Sequence, residues 1–363
     1  MLTNFRADRR VEVRVTTPRS PLRDVLPTLQ RWINDGRRAA VATVVTVDKS
    51  APREPGSVMA VSETGDVVGS VTGGCVEPAV YQQAEEVLAG EPARMATLGY
   101  ADDEAFEVGL PCGGNVGIFV EPMVPELVEE VAAAVRDERP VAYLTTIGGA
   151  VTGNPRVVGA EGEPADEAEA AARPLLEMGE SGVVTVGGED VFVSSLVPRP
   201  AMYVFGAIDF ASALCTVGKF LGYRVTVCDP RAIFVTPERF PDADELVTEW
   251  PHEFLATAPV DGRTAVCVLT HDAKFDVPAL KAALATPARY IGAMGSRRTT
   301  ERRREKLLGE GVAEDQLARI HAPIGLPIAS RTPEEVAIAI GAEIVSVANR
   351  ASRKESLEAR TRV

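Results

Sequence analysis

Ala201-Met202-Tyr203-Val204-Phe205-Gly206-Ala207-Ile208-Asp209-Phe210 is the stretch whose reading decides the fold. A short apolar run ends at a glycine, and a helical pattern follows at once. This predicts a buried strand, a tight turn over Gly206 to Asp209, and a helix from Phe210 to Leu221 that Gly222 ends. The unit recurs downstream. Arg224 to Cys228 reads as a strand closing on Asp229, and Ala265 to Leu269 as one closing on Thr270-His271-Asp272. A helix is expected over Val277 to Leu284. Ala288 to Met294 is then a strand closing on Gly295-Ser296-Arg297-Arg298, with a basic helix behind it. Alternating strands and helices make a parallel sheet covered on both faces, so residues 199–363 read as a Rossmann-like, doubly wound α/β domain.

A dinucleotide site on such a sheet needs G-x-G-x-x-G after its first strand, so that backbone can approach a pyrophosphate. Gly206 supplies the first glycine, but Ile208 replaces the second and Asp209 puts a carboxylate at the helix start. The isoleucine crowds a pyrophosphate and the carboxylate repels it, which weakens the case for NAD(P). Asp229 stands about 20 residues on, where a ribose-binding acid belongs. Asp209, Asp229, His271, Asp272, Ser296, Arg297 and Arg298 all fall at predicted carboxyl ends of strands, where open α/β sheets bind ligands. Gly-Ser-Arg-Arg opening a helix suits an anion. The charges from Arg302 to Lys306 read as a solvated face.

Upstream, Leu22 to Asn34 has a helical apolar face, Ala39 to Val47 reads as a buried strand, and Ser57 to Ser70 as a hairpin turning at Glu63-Thr64-Gly65-Asp66. Gly73-Gly74-Cys75-Val76-Glu77 then opens a helix whose Pro78 fits only its first turn. A thiol at a helix N-terminus is more often thiolate, a soft metal ligand and a sulfur nucleophile. Cys112-Gly113-Gly114 precedes a strand at Val116 to Val120. Glu126 to Val135 reads as a helix, Val141 to Ile147 as a strand, and Val183 to Leu196 as strand again. The Ala/Glu/Pro-rich run Ala160 to Ala172 reads as an exposed, acidic loop insertion, and Pro198 and Pro200 mark the end of a first α/β domain over residues 1–198. Cys215, Cys228 and Cys267 sit in apolar runs and are expected in the core.

Composition narrows the function. The chain has 363 residues, a net charge of −14, 45% hydrophobic and 25% charged residues. That balance is ordinary for a globular protein and opposes binding to nucleic acid or an anionic membrane. No apolar stretch is long enough to span a bilayer, and Met1 to Arg10 lacks a signal-peptide core. Five scattered cysteines point to neither a disulfide framework nor a structural zinc site, and to a reducing cytoplasm.

One resemblance spans nearly the whole chain. Ser50-Ala51-Pro52-Arg53, Gly69 to Glu77, Cys112-Gly113-Gly114, Asp229-Pro230-Arg231, Thr270-His271-Asp272, Tyr290 to Arg298 and His321 to Leu326 together resemble the xanthine dehydrogenase accessory factor family, XdhC/CoxI. The resemblance implies an N-terminal XdhC/CoxI domain followed by the Rossmann-like domain. It implies a chaperone more than a catalyst, one that binds molybdenum cofactor (molybdopterin type), assists its sulfuration and inserts it into an apo molybdenum hydroxylase of the xanthine or CO dehydrogenase type. A homodimer and a cysteine desulfurase partner are further expectations. The implied cofactor contacts are Arg53, Gly73, Gly74, Cys75, Glu77, Cys112, Gly113, Gly114, Gly206, Asp229, His271, Ser296, Arg297 and Arg298. Cys75 and Cys112 are the candidate molybdenum contacts, with Cys75 also the candidate for sulfur handling; the plain alternative makes both small buried residues in glycine-rich turns. Where the family has Gly-Ala-Gly-His, this chain has Gly206-Ala207-Ile208-Asp209. The competing readings are an NAD(P)-binding oxidoreductase and a nucleotide-binding regulator. Against a molybdenum hydroxylase itself stand the chain's length and the absence of iron–sulfur cysteine spacing.

Overall fold

A computed structural model describes residues 12–17, 21–48, 55–74, 76–98, 115–149 and 152–361. The chain divides into two units: Met1–Pro198 with Lys354–Val363, and Arg199–Arg353.

The first unit runs β1 (Glu12–Thr17), α1 (Leu22–Asn34), β2 (Ala39–Asp48), β3 (Val58–Ser62), β4 (Val67–Gly69), α2 (Glu77–Leu88), β5 (Arg94–Leu98), β6 (Asn115–Pro122), α3 (Pro125–Arg136), β7 (Val141–Gly148), β8 (Gly153–Gly159), α4 (Glu167–Met178), β9 (Ser181–Val186) and β10 (Glu189–Leu196). Its strands form two antiparallel sheets, ordered β4-β3-β2-β6-β5 and β1-β9-β10-β7-β8. Strand β2 shows how a period of two builds two cores. Val41 faces α1 and α3, against Leu26, Leu29 and Val131. Ala40, Ala42 and Val44 face the other way, onto Val80, Ala84 and Val87 of α2.

The expected loop over 160–172 is corrected: it ends at Asp166, where α4 starts. Asp166 accepts a hydrogen bond from the Glu169 N–H at 2.8 Å, and the Glu169 carboxylate accepts from the Ala165 N–H at 2.9 Å. This reciprocal cap satisfies N–H groups that the helix start leaves orphaned. Ala172, Leu175 and Leu176 then bury against Leu144, Val184 and Val193. An alanine- and glutamate-rich composition marked an insertion where its apolar spacing made a helix.

The two sheets of this unit share one buried carboxyl. Glu121 on β6 accepts from Thr145 Oγ1 at 2.8 Å and from the Tyr143 hydroxyl at 3.2 Å, both on β7. Burial outweighs those two bonds and pushes its pKa up to about 7.

The second unit runs β11 (Ala201–Phe205), α5 (Asp209–Phe220), β12 (Arg224–Cys228), a 3₁₀ turn (Ala232–Phe234), β13 (Glu245–Val247), α6 (Pro251–Leu255), β14 (Ala265–Val268), α7 (Ala273–Leu284), β15 (Tyr290–Ala293), α8 (Arg297–Gly309), α9 (Glu314–Leu317), β16 (Ile320–His321) and the greater part of α10 (Pro333–Thr361). Every strand pairing is parallel, in the order β13-β12-β11-β14-β15-β16. Met202 and Val204 of β11 pack toward α5 and α10, while Tyr203 and Phe205 pack toward α6, α7 and α8. The order reverses between β11 and β14, which places the binding crevice of an open α/β sheet at their carboxyl ends.

Beneath that edge the expected solvated face of α8 is corrected at one position. The Arg303 side chain is 5% exposed and donates to Asp276, itself 2% exposed, at 2.6 Å. It also donates to Met294 O at 2.8 Å, and Thr270 Oγ1 donates to Asp276. A charged side chain enters a core only with its charge met. Here the pair fastens the loop after β14 to the loop after β15.

Two outcomes follow from these buried groups. Removing one partner of a buried pair costs about 3–5 kcal/mol, so Arg303→Met lowers the urea midpoint steeply while the exposed Arg302→Met leaves it unchanged. Glu121 contributes most below its unfolded pKa of 4.5 and loses that contribution as pH rises toward 7, because the unfolded chain ionises first. The whole effect is about 3 kcal/mol. Glu121→Gln therefore gains stability relative to the parent between pH 4.5 and 7, read as the difference between their melting temperatures; a difference that stays constant across that range contradicts the assignment.

Candidate functional site

In the first unit the glycine-rich segment is organised by Glu77, the first residue of α2. One carboxylate oxygen accepts from Ser70 Oγ at 2.7 Å and from the Thr72 and Gly73 N–H groups at 2.9 Å each. The other accepts from Thr72 Oγ1 at 2.8 Å, the Gly74 N–H at 2.8 Å and the Val76 N–H at 3.2 Å. Gly73 and Gly74 have φ of 93° and 128°, which side chains with a Cβ rarely adopt. Burial alone would raise the Glu77 pKa, but the converging donors hold it far below the carboxylate range. The amides of this loop thus turn inward to Glu77. Its carboxylate sets the path of the backbone on either side of position 75. Arg53, Cys75, Cys112, Gly113 and Gly114 lie outside the described residues.

The second unit gathers Gly206, Asp229, His271, Ser296, Arg297 and Arg298 along the carboxyl edge of its sheet. Gly206 has φ 112°, and a Cβ there would lie 2.8 Å from Thr270 Cγ2 and 3.2 Å from the Thr270 backbone nitrogen. The glycine is required by the close approach of the β11 and β14 loops.

Asp229 does not present an open carboxylate to a ribose. It is buried, accepting from the Ala207 N–H at 2.9 Å and from Arg231 through its backbone N–H at 2.9 Å, Nε at 2.8 Å and Nη2 at 2.7 Å. Burial raises its pKa, but the Arg231 bonds prevail and lower it. The Ile208 N–H is also spent, on Gly206 O at 3.0 Å. Arg239 reaches across the turn to Ala207 O at 3.2 Å and Asp209 at 3.4 Å. A groove of about 550 Å³ runs beside α5, with Ile208, Asp209, Arg239 and Ile338 among its walls. The first turn is therefore closed by the chain's own donors and acceptors.

The other edge loops are more open. His271 is exposed. Asp272 caps α7 by accepting from the Lys274 N–H at 3.1 Å. Ser296 caps α8 by accepting from the Thr299 N–H at 3.2 Å, leaving exposed Arg297 and Arg298 in its first turn. That combination of cationic heads and a positive helix end suits a phosphate.

Cys215, Cys228 and Cys267 are fully buried, as expected. Burial pushes the thiols of Cys215 and Cys228 up to about 12, and that of Cys267 higher still. They stay protonated and outside thiolate chemistry. Arg231 and Arg303 went unassigned as organisers of the edge. Arg231 was visible within Asp229-Pro230-Arg231, whereas only the fold reveals that Arg303 points inward.

Comparison with known proteins agrees with this arrangement. The XdhC Rossmann domain model matches residues 202–344, and the XdhC and CoxI family model matches residues 32–100. Over 333 residues the chain is 26% identical to a Bacillus subtilis (strain 168) protein named as a probable xanthine dehydrogenase subunit, covering 89% of this chain and 97% of that one. Over 326 residues it is 26% identical to the Escherichia coli (strain K12) molybdenum cofactor insertion chaperone PaoD, covering 90% and 88% of the two chains. A Bacillus halodurans crystal structure described as a xanthine dehydrogenase shares the fold, with a TM-score of 0.68 at 24% identity over 91% of this chain and 96% of that one. With one family model on each unit and the glycine-rich loop and Rossmann edge both in place, the chain belongs to the XdhC and CoxI family.

Proposed function

We propose that this protein is a molybdenum cofactor insertion chaperone serving a molybdenum hydroxylase. The observation that carries the reading is the Glu77 knot. Six donors are spent on shaping one exposed loop whose next residue is Cys75. Such an investment makes sense if the loop presents a thiol to a cargo. The buried thiols of Cys215, Cys228 and Cys267 leave Cys75 and Cys112 as the cysteines for that work. In this reading Cys75 and Cys112 are the candidate molybdenum contacts, with Cys75 also the candidate for sulfur handling, and the exposed Arg297 and Arg298 of the second unit are candidate phosphate contacts. Likeness to the chaperone PaoD along most of both chains supports the same role. A cysteine desulfurase as sulfur donor, a homodimer and a cytoplasmic site of action complete the proposal. Among the described residues no helix is long and apolar enough to cross a membrane.

The alternative of a dinucleotide-dependent oxidoreductase fares worse. Asp229 is locked to Arg231, the Ala207 and Ile208 amides are occupied, and Asp209 adds negative charge where a pyrophosphate would lie.

The proposal predicts that protein purified from a host making the cofactor carries pterin and molybdenum near one per chain, and that Cys75→Ala loses most of both. Absence of pterin from the parent protein would sink the reading. Glu77→Gln replaces acceptor lone pairs with an amide N–H₂ group facing N–H donors, at a cost of about 1–3 kcal/mol. Because the Glu77 pKa is depressed on folding, that cost is full at pH 7 and shrinks as acidification passes below the unfolded value of 4.5. Cofactor retention should fall with it although Cys75 is intact; retention equal to the parent's would show that the loop's shape is immaterial.

A further inference from the structure

The carboxyl edge of the second unit bears a set of rings and cations that none of these roles uses. Phe234 closes the 3₁₀ turn after β12, Trp250 precedes α6, and Phe275 lies in the first turn of α7. The segments that follow β12, β13 and β14 therefore deliver one aromatic residue each. The Arg231 guanidinium lies 5.0 Å from the Phe234 ring centroid and 5.9 Å from that of Phe275. Trp250 stacks on Phe275 at 5.0 Å with 27° between the planes. Lys274 lies over the same ring at 4.8 Å. Phe275 is buried, but Phe234 and Trp250 remain 36% and 38% exposed.

Two features define what this surface accepts. It is polarisable, since a fixed guanidinium and exposed rings offer faces that stack on planar groups. It is also close to neutral. Arg231 is matched by Asp229 at 2.7 Å and Lys274 by Asp272 at 3.4 Å. An anion gains little there, whereas an uncharged heteroaromatic ring gains stacking without displacing an ion pair. The bond to Asp229 engages Nε and Nη2 and so holds the Arg231 plane still, which removes the entropy cost of ordering that side chain on binding.

We propose that Arg231, Phe234 and the Trp250–Phe275 stack form a platform for the neutral, planar pterin ring system of the cargo. This rests on the chaperone reading above and deepens it. The platform holds the organic part of the cofactor on the second unit. A nucleobase shares the same planar heterocyclic chemistry, so the test separates the two sources.

The experiment is equilibrium dialysis of the full-length chain against 6-hydroxymethylpterin and, separately, AMP, with Phe234→Ala and Trp250→Ala beside the parent. Both side chains are substantially exposed, and circular dichroism verifies that the variants fold. Stacking on an aromatic side chain is worth enough that either substitution weakens pterin binding about tenfold. Saturable pterin binding that weakens so in both variants, with AMP bound more weakly by the parent, supports the platform. Pterin binding unchanged in both variants overturns it, and AMP bound as tightly as pterin overturns the pterin assignment in favour of a nucleotide. Cofactor content of the same three proteins from a cofactor-making host separates the two layers. A loaded parent with equally loaded variants rejects the platform and spares the chaperone reading. An unloaded parent whose dialysis result still depends on Phe234 and Trp250 rejects the chaperone reading and keeps the ring site.

Discussion

A carboxylate taken out of water must collect hydrogen bonds, a cation or a proton. Four acids of this chain meet that demand in different ways, and the loops around them take their shape from how they do it. Glu77 collects six donors and folds the glycine-rich loop around itself. Asp229 collects Arg231 and the Ala207 amide and closes the first turn of the Rossmann-like unit. Asp276 collects Arg303 and joins two edge loops from below. Glu121 finds only two hydroxyls and so holds a proton up to about pH 7.

These solutions leave the Rossmann-like scaffold intact while closing its first turn. The parallel sheet and its switch point survive, because β11, β12, β14 and β15 are buried on both faces and need no ligand to stand. The phosphate clamp is lost through Ile208 and Asp209. Asp229 is turned inward onto Arg231, whose guanidinium lies over the Phe234 ring.

Much of this was legible in the residues. The helix at Leu22–Asn34 and the strands at Ala201–Phe205 and Arg224–Cys228 fall where periodicity put them, because each carries an uninterrupted apolar pattern. Two readings failed for a common reason, since composition says little about direction. Residues 167–172 looked like loop because they are rich in alanine and glutamate, yet Ala172 is buried with Leu175 and Leu176. Arg303 looked solvated among charged neighbours, although its side of α8 faces Asp276. Nothing local distinguishes it from Arg302. The grouping of Phe234, Trp250 and Phe275 was invisible for the same reason, as they follow three different strands that only the sheet order brings together.

The central claim is that this chain hands a molybdenum cofactor to another enzyme. The most direct measurement loads the protein with cofactor, mixes it with an apo molybdenum hydroxylase from a cofactor-deficient host, and follows both hydroxylase activity and the cofactor left on this chain. The account predicts activity that rises above that given by an equal amount of free cofactor, matched by an equal loss from the donor. Cofactor that stays on the chain, or activation no better than with free cofactor, would contradict it.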